Sequence, residues 1–192
     1  MQITDIVVTL MDVTPPVTRR LEVPADIPLD RLHATLQAAF GWHNAHLFMF
    51  CVGEPYQMGE TRWVLPNFVD SAEDLPADGT TLAQALSQAG GSQLTYLYDF
   101  GDDWEHLIEA RDTREAAPGT LYPRLTEITG TCPPEDVGGL PGYEMFLEAM
   151  ANPKHPEHRD LRDWYGGSFD PDRPDAAALR RHVDDLARSW AG

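Results

Sequence analysis

An acidic turn in the middle of the chain offers the first candidate chemistry. Residues 99–109 contain five carboxylates and one histidine, and no basic residue. Carboxylates this close repel one another unless water solvates them, backbone N–H groups cap them or a cation binds them. Asp99, Asp102 and His106 supply oxygen and imidazole ligands that suit a divalent cation. The alternative is an Asp-rich hairpin turn in which Asp99 and Asp102 cap backbone donors above a packed Trp104.

Two further segments carry residues that could hold a ligand. Glu135 and Asp136 lie between a Pro-Pro pair and a Gly-Gly pair, which indicates a fixed backbone path and favours either a plain turn or two held carboxylates. His155 and His158 are spaced i, i+3, so a first helical turn would bring them within about 5–6 Å, in reach of one metal ion. Two histidines make only half of such a site, and surface or capping histidines are the commoner outcome. His46 precedes an apolar run, and we expect it to be a hydrogen-bonded core residue.

Hydrophobic periodicity predicts the elements that must position these residues. β-branched and apolar runs predict strands at 3–11, 18–23, 46–52, 94–98, 106–111 and 124–129. Helical spacing predicts helices at 29–40, 82–89 (after a Thr81/Gln84 capping box), 143–150 and from Asp175 to the C-terminal region. Strands and helices alternate without a regular βαβ repeat. The sequence therefore predicts a single α+β domain over 1–192, with a mixed, mostly antiparallel sheet, flanking helices and a C-terminal helix.

The charge of the chain limits its partners. There are 31 acidic and 14 basic residues among 192, for a formal net charge of -17. Such a field repels phosphate backbones, so direct binding of duplex DNA is disfavoured. An arginine patch at Arg19 and Arg20, or at Arg180 and Arg181, is the alternative that would restore nucleic-acid binding. Neither a phosphate-binding loop nor a nucleophile elbow is present in the sequence.

Cysteine usage and hydropathy suggest the compartment. Cys51 lies in an apolar run and is expected to be a buried free thiol, while Cys132 is distant in sequence, so the two form no disulfide framework. The N-terminus lacks the basic start and apolar block of a signal peptide. The longest apolar stretch, 47–52, is too short to span a bilayer. We expect a cytoplasmic protein with no membrane partner.

Four blocks of aromatic, acidic and glycine residues stand out along the chain. They are Tyr96-x-Tyr98-Asp99-Phe100-Gly101-Asp102-x-Trp104-x-His106, Cys132-Pro133-Pro134-Glu135-Asp136-x-Gly138-Gly139-x-x-Gly142-Tyr143, His155-Pro156-x-His158 and Phe169-Asp170-Pro171. In order and spacing they resemble the plasmid pRiA4b ORF-3-like family, and the resemblance includes the Gly41-Trp42…His46-Leu47 segment. It implies a link to plasmids and insertion elements. It also implies a shared site, without an assigned reaction, with binding residues Asp99, Asp102, Trp104, Glu135, Asp136 and Tyr143.

Two functions of different classes fit these features. The leading hypothesis is a non-enzymatic accessory protein that presents residues 99–106 and 135–139 as a rigid recognition surface to a protein partner. Its basis is an acidic, Gly/Pro-rich motif without a recognisable nucleophile. The rival is a metal-dependent hydrolase or phosphoesterase, in which the Asp and Glu residues hold divalent ions and His106 or His158 transfers a proton. Both hypotheses require that the separate acidic stretches meet in space.

Overall fold

A sheet of eight strands organises the computed structural model, which describes residues 1–191. In spatial order the strands are β5 (Asp74–Pro76), β4 (Arg62–Val64), β3 (Phe48–Cys51), β6 (Gln93–Tyr98), β7 (Trp104–Glu115), β1 (Gln2–Leu10), β2 (Val17–Pro24) and β8 (Arg124–Thr129). Neighbours pair antiparallel, except for the parallel β4–β5 pair. The predicted α+β class with a mostly antiparallel sheet is confirmed.

Five α-helices accompany the sheet within the described residues. They are α1 (Leu29–Phe40), α2 (Leu82–Gln88), α3 (Gly139–Ala151), α4 (His158–Tyr165) and α5 (Ala176–Ala191). The predicted capping box of α2 is present, and Asp175 Oδ1 accepts a hydrogen bond from the Ala178 N–H at the start of α5. Gly41, at φ 86°, closes α1 in the left-handed conformation that glycine adopts without strain.

Alternation along the long strands fixes which side chains enter the core. Along the first half of β7, Trp104, His106 and Ile108 are buried while the residues between them are less so. These three belong to the same face because successive strand residues point to opposite sides of the sheet. Leu32 and Leu36 of α1 join Ile108 in one large hydrophobic cluster, and burying each such side chain contributes about 1.5–3 kcal/mol.

The Arg19–Arg20 pair does not form the free basic patch considered above. The Arg19 side chain is fully buried. Arg20 lies on the opposite face of β2 and pairs with Asp5, at 2.6 Å, and with Glu127, at 2.8 Å. Arg19 is buried and Arg20 is held by two carboxylates, so this pair does not offer two free guanidinium groups to a phosphate backbone.

Both cysteines are buried and free. The prediction for Cys51 is confirmed, and burial raises the pKa of its thiol to about 12. Burial likewise raises the pKa of Cys132, so both thiols are neutral at physiological pH. Among residues 1–191, no helix combines the length and the apolar character needed to cross a bilayer.

Candidate functional site

A buried polar network fixes the loop at 41–47, between α1 and β3. The His33 ring contacts the Tyr96 hydroxyl through Nδ1, at 2.8 Å, and Asn44 Oδ1 through Nε2, at 2.6 Å. Burial lowers the pKa of His33 to about 4, so its neutral ring donates to Asn44 and accepts from Tyr96. The Asn44 N–H donates in turn to Gln37 Oε1, at 2.8 Å. The loop is thus held from inside the fold.

Tyr98 and Glu135 join this loop to the 132–139 segment. The Tyr98 hydroxyl accepts from the Ala45 N–H, at 3.0 Å, and donates to Glu135 Oε1, also at 3.0 Å. The His43 N–H donates to the same carboxylate oxygen, at 2.7 Å. Burial, reinforced by the Glu135 charge, raises the pKa of Tyr98 above its ordinary range, so the phenol keeps its proton. The second oxygen of Glu135 remains available.

Asp99 contributes a carboxylate from the end of β6. Its backbone has φ 58°, and its N–H donates to Leu47 O, at 2.9 Å. Oδ1 accepts from the Gly101 N–H, at 2.9 Å, which is the capping role expected of an Asp-rich turn. Oδ2 faces His46, with 3.5 Å between this oxygen and Nε2. One carboxylate therefore serves both the turn and the cluster around His46.

Three loops converge at the His46 imidazole. Nε2 lies 2.9 Å from Asp136 Oδ1, 3.5 Å from Asp99 Oδ2 and 3.9 Å from Glu135 Oε2. Despite the 2.9 Å separation, Nε2 makes no hydrogen bond of acceptable geometry with any described residue, and it is inaccessible to solvent. Ligand atoms of His46, Asp99 and Asp136 all lie within 4.8 Å of one another. We call the group of His46, Asp99, Glu135 and Asp136 the His46 site.

This arrangement has the chemistry of a divalent-cation site. It combines one imidazole with two or three carboxylates, a ligand set that suits zinc, manganese or iron. A cation would relieve the repulsion among the carboxylates and give Nε2 a partner. The Asp136 side chain is 69% exposed, so the site opens to solvent on that side.

Asp102 lies outside the group of converging ligand atoms and connects two loops beside it. Its Oδ2 accepts a hydrogen bond from the Gly138 N–H, at 3.2 Å, and so joins the 99–103 turn to the start of α3. Gly139, at φ 65°, packs directly on this turn, because a Cβ there would lie 2.8 Å from the Asp102 carbonyl oxygen. Asp102 does not belong to the group of converging ligand atoms found among the described residues.

His106 is not at this site, and its assignment as a metal ligand or proton carrier is wrong. The alternation of β7 turns its ring into the core, where Nδ1 contacts the carbonyl oxygens of Tyr96, at 3.2 Å, and Trp104, at 3.0 Å. Burial lowers the pKa of His106 to about 3. Trp104 and Tyr143 are only 3% and 1% exposed, so they pack beneath the site and do not form a contact surface for a partner.

His155 and His158 lie apart from the converging ligand atoms. The His155 Nδ1 accepts from the Glu157 N–H, at 3.2 Å, and the His158 Nδ1 contacts Ala149 O, at 2.7 Å. Within residues 1–191, the group with three ligand atoms in reach of one ion contains neither of them. The capping alternative describes both residues.

His46 is the candidate site residue that the sequence interpretation missed. It was expected in the core, yet its side chain is 30% exposed and its Nε2 lies among the carboxylates. The signal available was its place in the Gly41–Leu47 segment, which carries two histidines and an asparagine between a helix and a strand. Polar residues concentrated in a short connection indicate a site more often than a core.

The chain belongs to the plasmid pRiA4b ORF-3-like protein family, whose model matches residues 2–178. It is 44% identical, over 185 residues, to the uncharacterized protein y4hQ of Sinorhizobium fredii, covering 96% of this chain and 92% of that protein. Its fold is similar to that of the protein of unknown function MM3350 from Methanosarcina mazei Go1. That match has a TM-score of 0.81 and 26% identity, and covers 95% of this chain and 97% of the other.

Replacing Tyr98 tests the connection between the two segments. Tyr98→Phe leaves the Ala45 N–H and one bond to Glu135 unmade, so we expect the free energy of unfolding to fall by about 1–3 kcal/mol in urea titrations. Tyr143→Phe is the matched control, because the buried Tyr143 hydroxyl has no hydrogen-bond partner among the described residues. Its stability should be unchanged or raised. Equal losses in the two variants would contradict the assigned role of Tyr98.

Proposed function

We propose that this chain is a divalent-cation-dependent hydrolase whose metal ion is bound by His46, Asp99 and Asp136. The observation that carries the proposal is the convergence of these three ligand atoms, from three separate loops, within 4.8 Å. Buried polar atoms in proteins are normally hydrogen-bonded, yet the buried Nε2 of His46, at the centre of this group, has no hydrogen bond to any described residue. A cluster of solvated surface carboxylates does not account for this atom, whereas a metal ion does. Three protein ligands with an open side are the arrangement of a catalytic rather than a structural metal site.

A cation held by His46, Asp99 and Asp136 would be open to water on the exposed Asp136 side. A divalent cation lowers the pKa of bound water, to about 7 in zinc enzymes, and so supplies a nucleophile at neutral pH. Glu135 is placed to accept the proton, because Oε2 lies 3.9 Å from His46 Nε2. Its other oxygen is fixed by Tyr98 and His43, which holds the carboxylate in position. The water oxygen would form the new bond to the carbonyl or phosphoryl centre of an ester, the bond to the leaving alcohol would break, and that alcohol would take the proton held by Glu135.

A bound cation would also resolve the electrostatic difficulty of an anionic substrate. The chain carries a formal net charge of -17 and three acidic residues at the site itself. Without a metal, an approaching phosphate ester or carboxylate meets repulsion at long and short range. A divalent ion reverses the local field at the point where the substrate must bind. We therefore expect the protein to accept anionic esters or phosphoesters as substrates only when the metal is bound.

An accessory protein that binds a protein partner is the second candidate function. Tyr56 and Phe100 are 54% and 40% exposed beside the acidic turn, with ring centroids 6.4 Å apart. Exposed aromatic residues next to a rigid acidic loop are the features of a protein contact surface. The family's name links it to a plasmid, and a partner encoded on a mobile element would fit that origin. This candidate requires no turnover.

Metal binding is the first test of the proposed function. We expect protein purified without chelator, and given manganese or zinc at about 100 times the dissociation constant, to melt roughly 5–10 °C higher. Asp99→Asn and Asp136→Asn should abolish most of this shift, since asparagine keeps the left-handed backbone but loses the charge. Asp103→Asn is the matched control, because Asp103 also has a positive φ (54°) and lies outside the group of ligand atoms. An equal shift in Asp136→Asn and wild-type protein would overturn the assignment.

The role of Glu135 is tested by turnover. Glu135→Gln keeps an oxygen for Tyr98 and His43, so we expect it to retain the metal-induced thermal shift. Its kcat for metal-dependent hydrolysis of nitrophenyl esters and phosphoesters should fall by roughly 10²–10⁴, with little change in KM. If wild-type protein binds metal but hydrolyses none of these compounds at any metal concentration, the partner-binding candidate replaces the hydrolase.

A further inference from the structure

A cleft of about 530 Å³ lies directly behind the Glu135–Asp136 segment. It is bounded by the end of α1, the 131–136 segment, the end of α4 and the start of α5. Residues that define its floor and walls include Arg19, Trp42, Cys132, Pro133, Trp164 and His182. Trp42 Nε1 donates to Pro133 O, at 3.0 Å, which fixes this wall to the loop that carries His46. The cleft and the His46 site therefore share the Glu135–Asp136 segment. We call this cleft the Arg19 cleft.

The Arg19 guanidinium at this cleft is a buried cation without a counter-ion. Nε donates to Ala39 O, and Nη1 donates to Thr18 O and Thr129 O, each at 2.7 Å. The guanidinium carbon lies 5.0 Å from the centre of the Phe40 ring. Nη2 is closed to solvent in the unliganded protein and has no hydrogen-bond partner among the described residues, and Arg19 takes part in none of their ion pairs.

No carboxylate among residues 1–191 forms an ion pair that would neutralise this charge. Burial lowers the pKa of Arg19, yet a guanidinium stays protonated in proteins, so the residue remains a cation. Cys132 would be the nearest counter-ion as a thiolate, but burial keeps its thiol protonated. A buried, unpaired charge with an unused donor is costly to the folded state. It becomes favourable when an anion supplies the missing acceptor and charge.

From this geometry we infer that the Arg19 cleft binds the oxyanion group, carboxylate or phosphate, of a small organic ligand, with Nη2 of Arg19 as its anchor. Indole and phenol rings of Trp42, Trp164 and Tyr165 offer apolar surface for the body of such a ligand. The inference rests on the proposed function only in one respect, namely that the bound anion is the substrate of the His46 site. Anion binding itself does not require a metal.

Acidic residues at the cleft make binding depend on the cation. Glu135, Asp136 and Asp175 all line it, so an anion passes carboxylates before it reaches Arg19. A divalent ion on Asp136 would remove part of this repulsion. We therefore expect affinity for an anion to rise when manganese is bound, and to remain measurable with the metal removed by EDTA.

The experiment measures binding of benzoate and of phenyl phosphate by quenching of tryptophan fluorescence, first in EDTA and then with manganese. Arg19→Met should weaken both probes by roughly 10- to 100-fold in EDTA, since a hydrogen bond to a charged group is lost. Arg180→Met makes the same change of type and charge on exposed α5, outside the cleft, and should bind both probes like wild type. The probe that binds more tightly identifies carboxylate or phosphate as the preferred group.

A second variant covers the case in which Arg19→Met does not fold. Ala178→Trp fills the cleft from α5 and leaves the hydrogen bonds of Arg19 in place, so it should abolish binding of both probes. Wild-type protein that binds neither probe, a folded Arg19→Met that binds normally, or equal loss in Arg180→Met would each overturn the inference.

Failure of the hydrolase proposal would look different. Asp136→Asn should lose the gain in affinity that manganese produces, while its affinity in EDTA should rise above that of wild type, because one repelling carboxylate at the cleft is removed. The distinguishing result is that manganese has no effect on wild-type protein while Arg19-dependent binding persists in EDTA. That result would support anion binding in the Arg19 cleft and contradict the proposed metal site.

Discussion

The hydrogen bond between the Tyr98 hydroxyl and the Glu135 carboxylate is the contact on which the candidate site depends. Tyr98 ends β6, immediately before Asp99, and its oxygen also accepts from the loop that carries His46. Glu135 stands next to Asp136 and receives the His43 N–H on the same oxygen. One buried phenol thereby connects the three segments that carry the candidate ligands His46, Asp99 and Asp136. Without it, each loop would keep its own turn chemistry but not the common geometry.

Local patterns in the sequence were sufficient to predict most of the fold. The β1–β2 hairpin, α1 with its closing glycine, the α2 capping box and the start of α5 at Asp175 all follow from short-range physics. Strands β4 and β5, of three residues each, were not predicted, because so short a segment gains its pairing from tertiary contacts rather than from any periodicity of its own. The sheet order likewise depends on long-range pairing.

The site was predictable only in part. Asp99, Glu135 and Asp136 were identified because clustered carboxylates and Gly/Pro pairs are visible in sequence, whereas the imidazole at their centre was not. His106 was chosen over His46 because it lies within the acidic turn. Period-2 alternation with Trp104 and Ile108 already indicated that His106 faces the core. The buried His33–Asn44 contact also holds the loop that carries His46, and no local pattern in the sequence encodes it.

The central claim is that a divalent cation binds between His46, Asp99 and Asp136. Crystals soaked in manganese and measured by anomalous diffraction test it most directly. We expect an anomalous peak at roughly 2.0–2.3 Å from His46 Nε2, Asp99 Oδ2 and Asp136 Oδ1. No peak there at saturating manganese, or a Nε2 hydrogen-bonded to Asp136 with water filling the space, would contradict it.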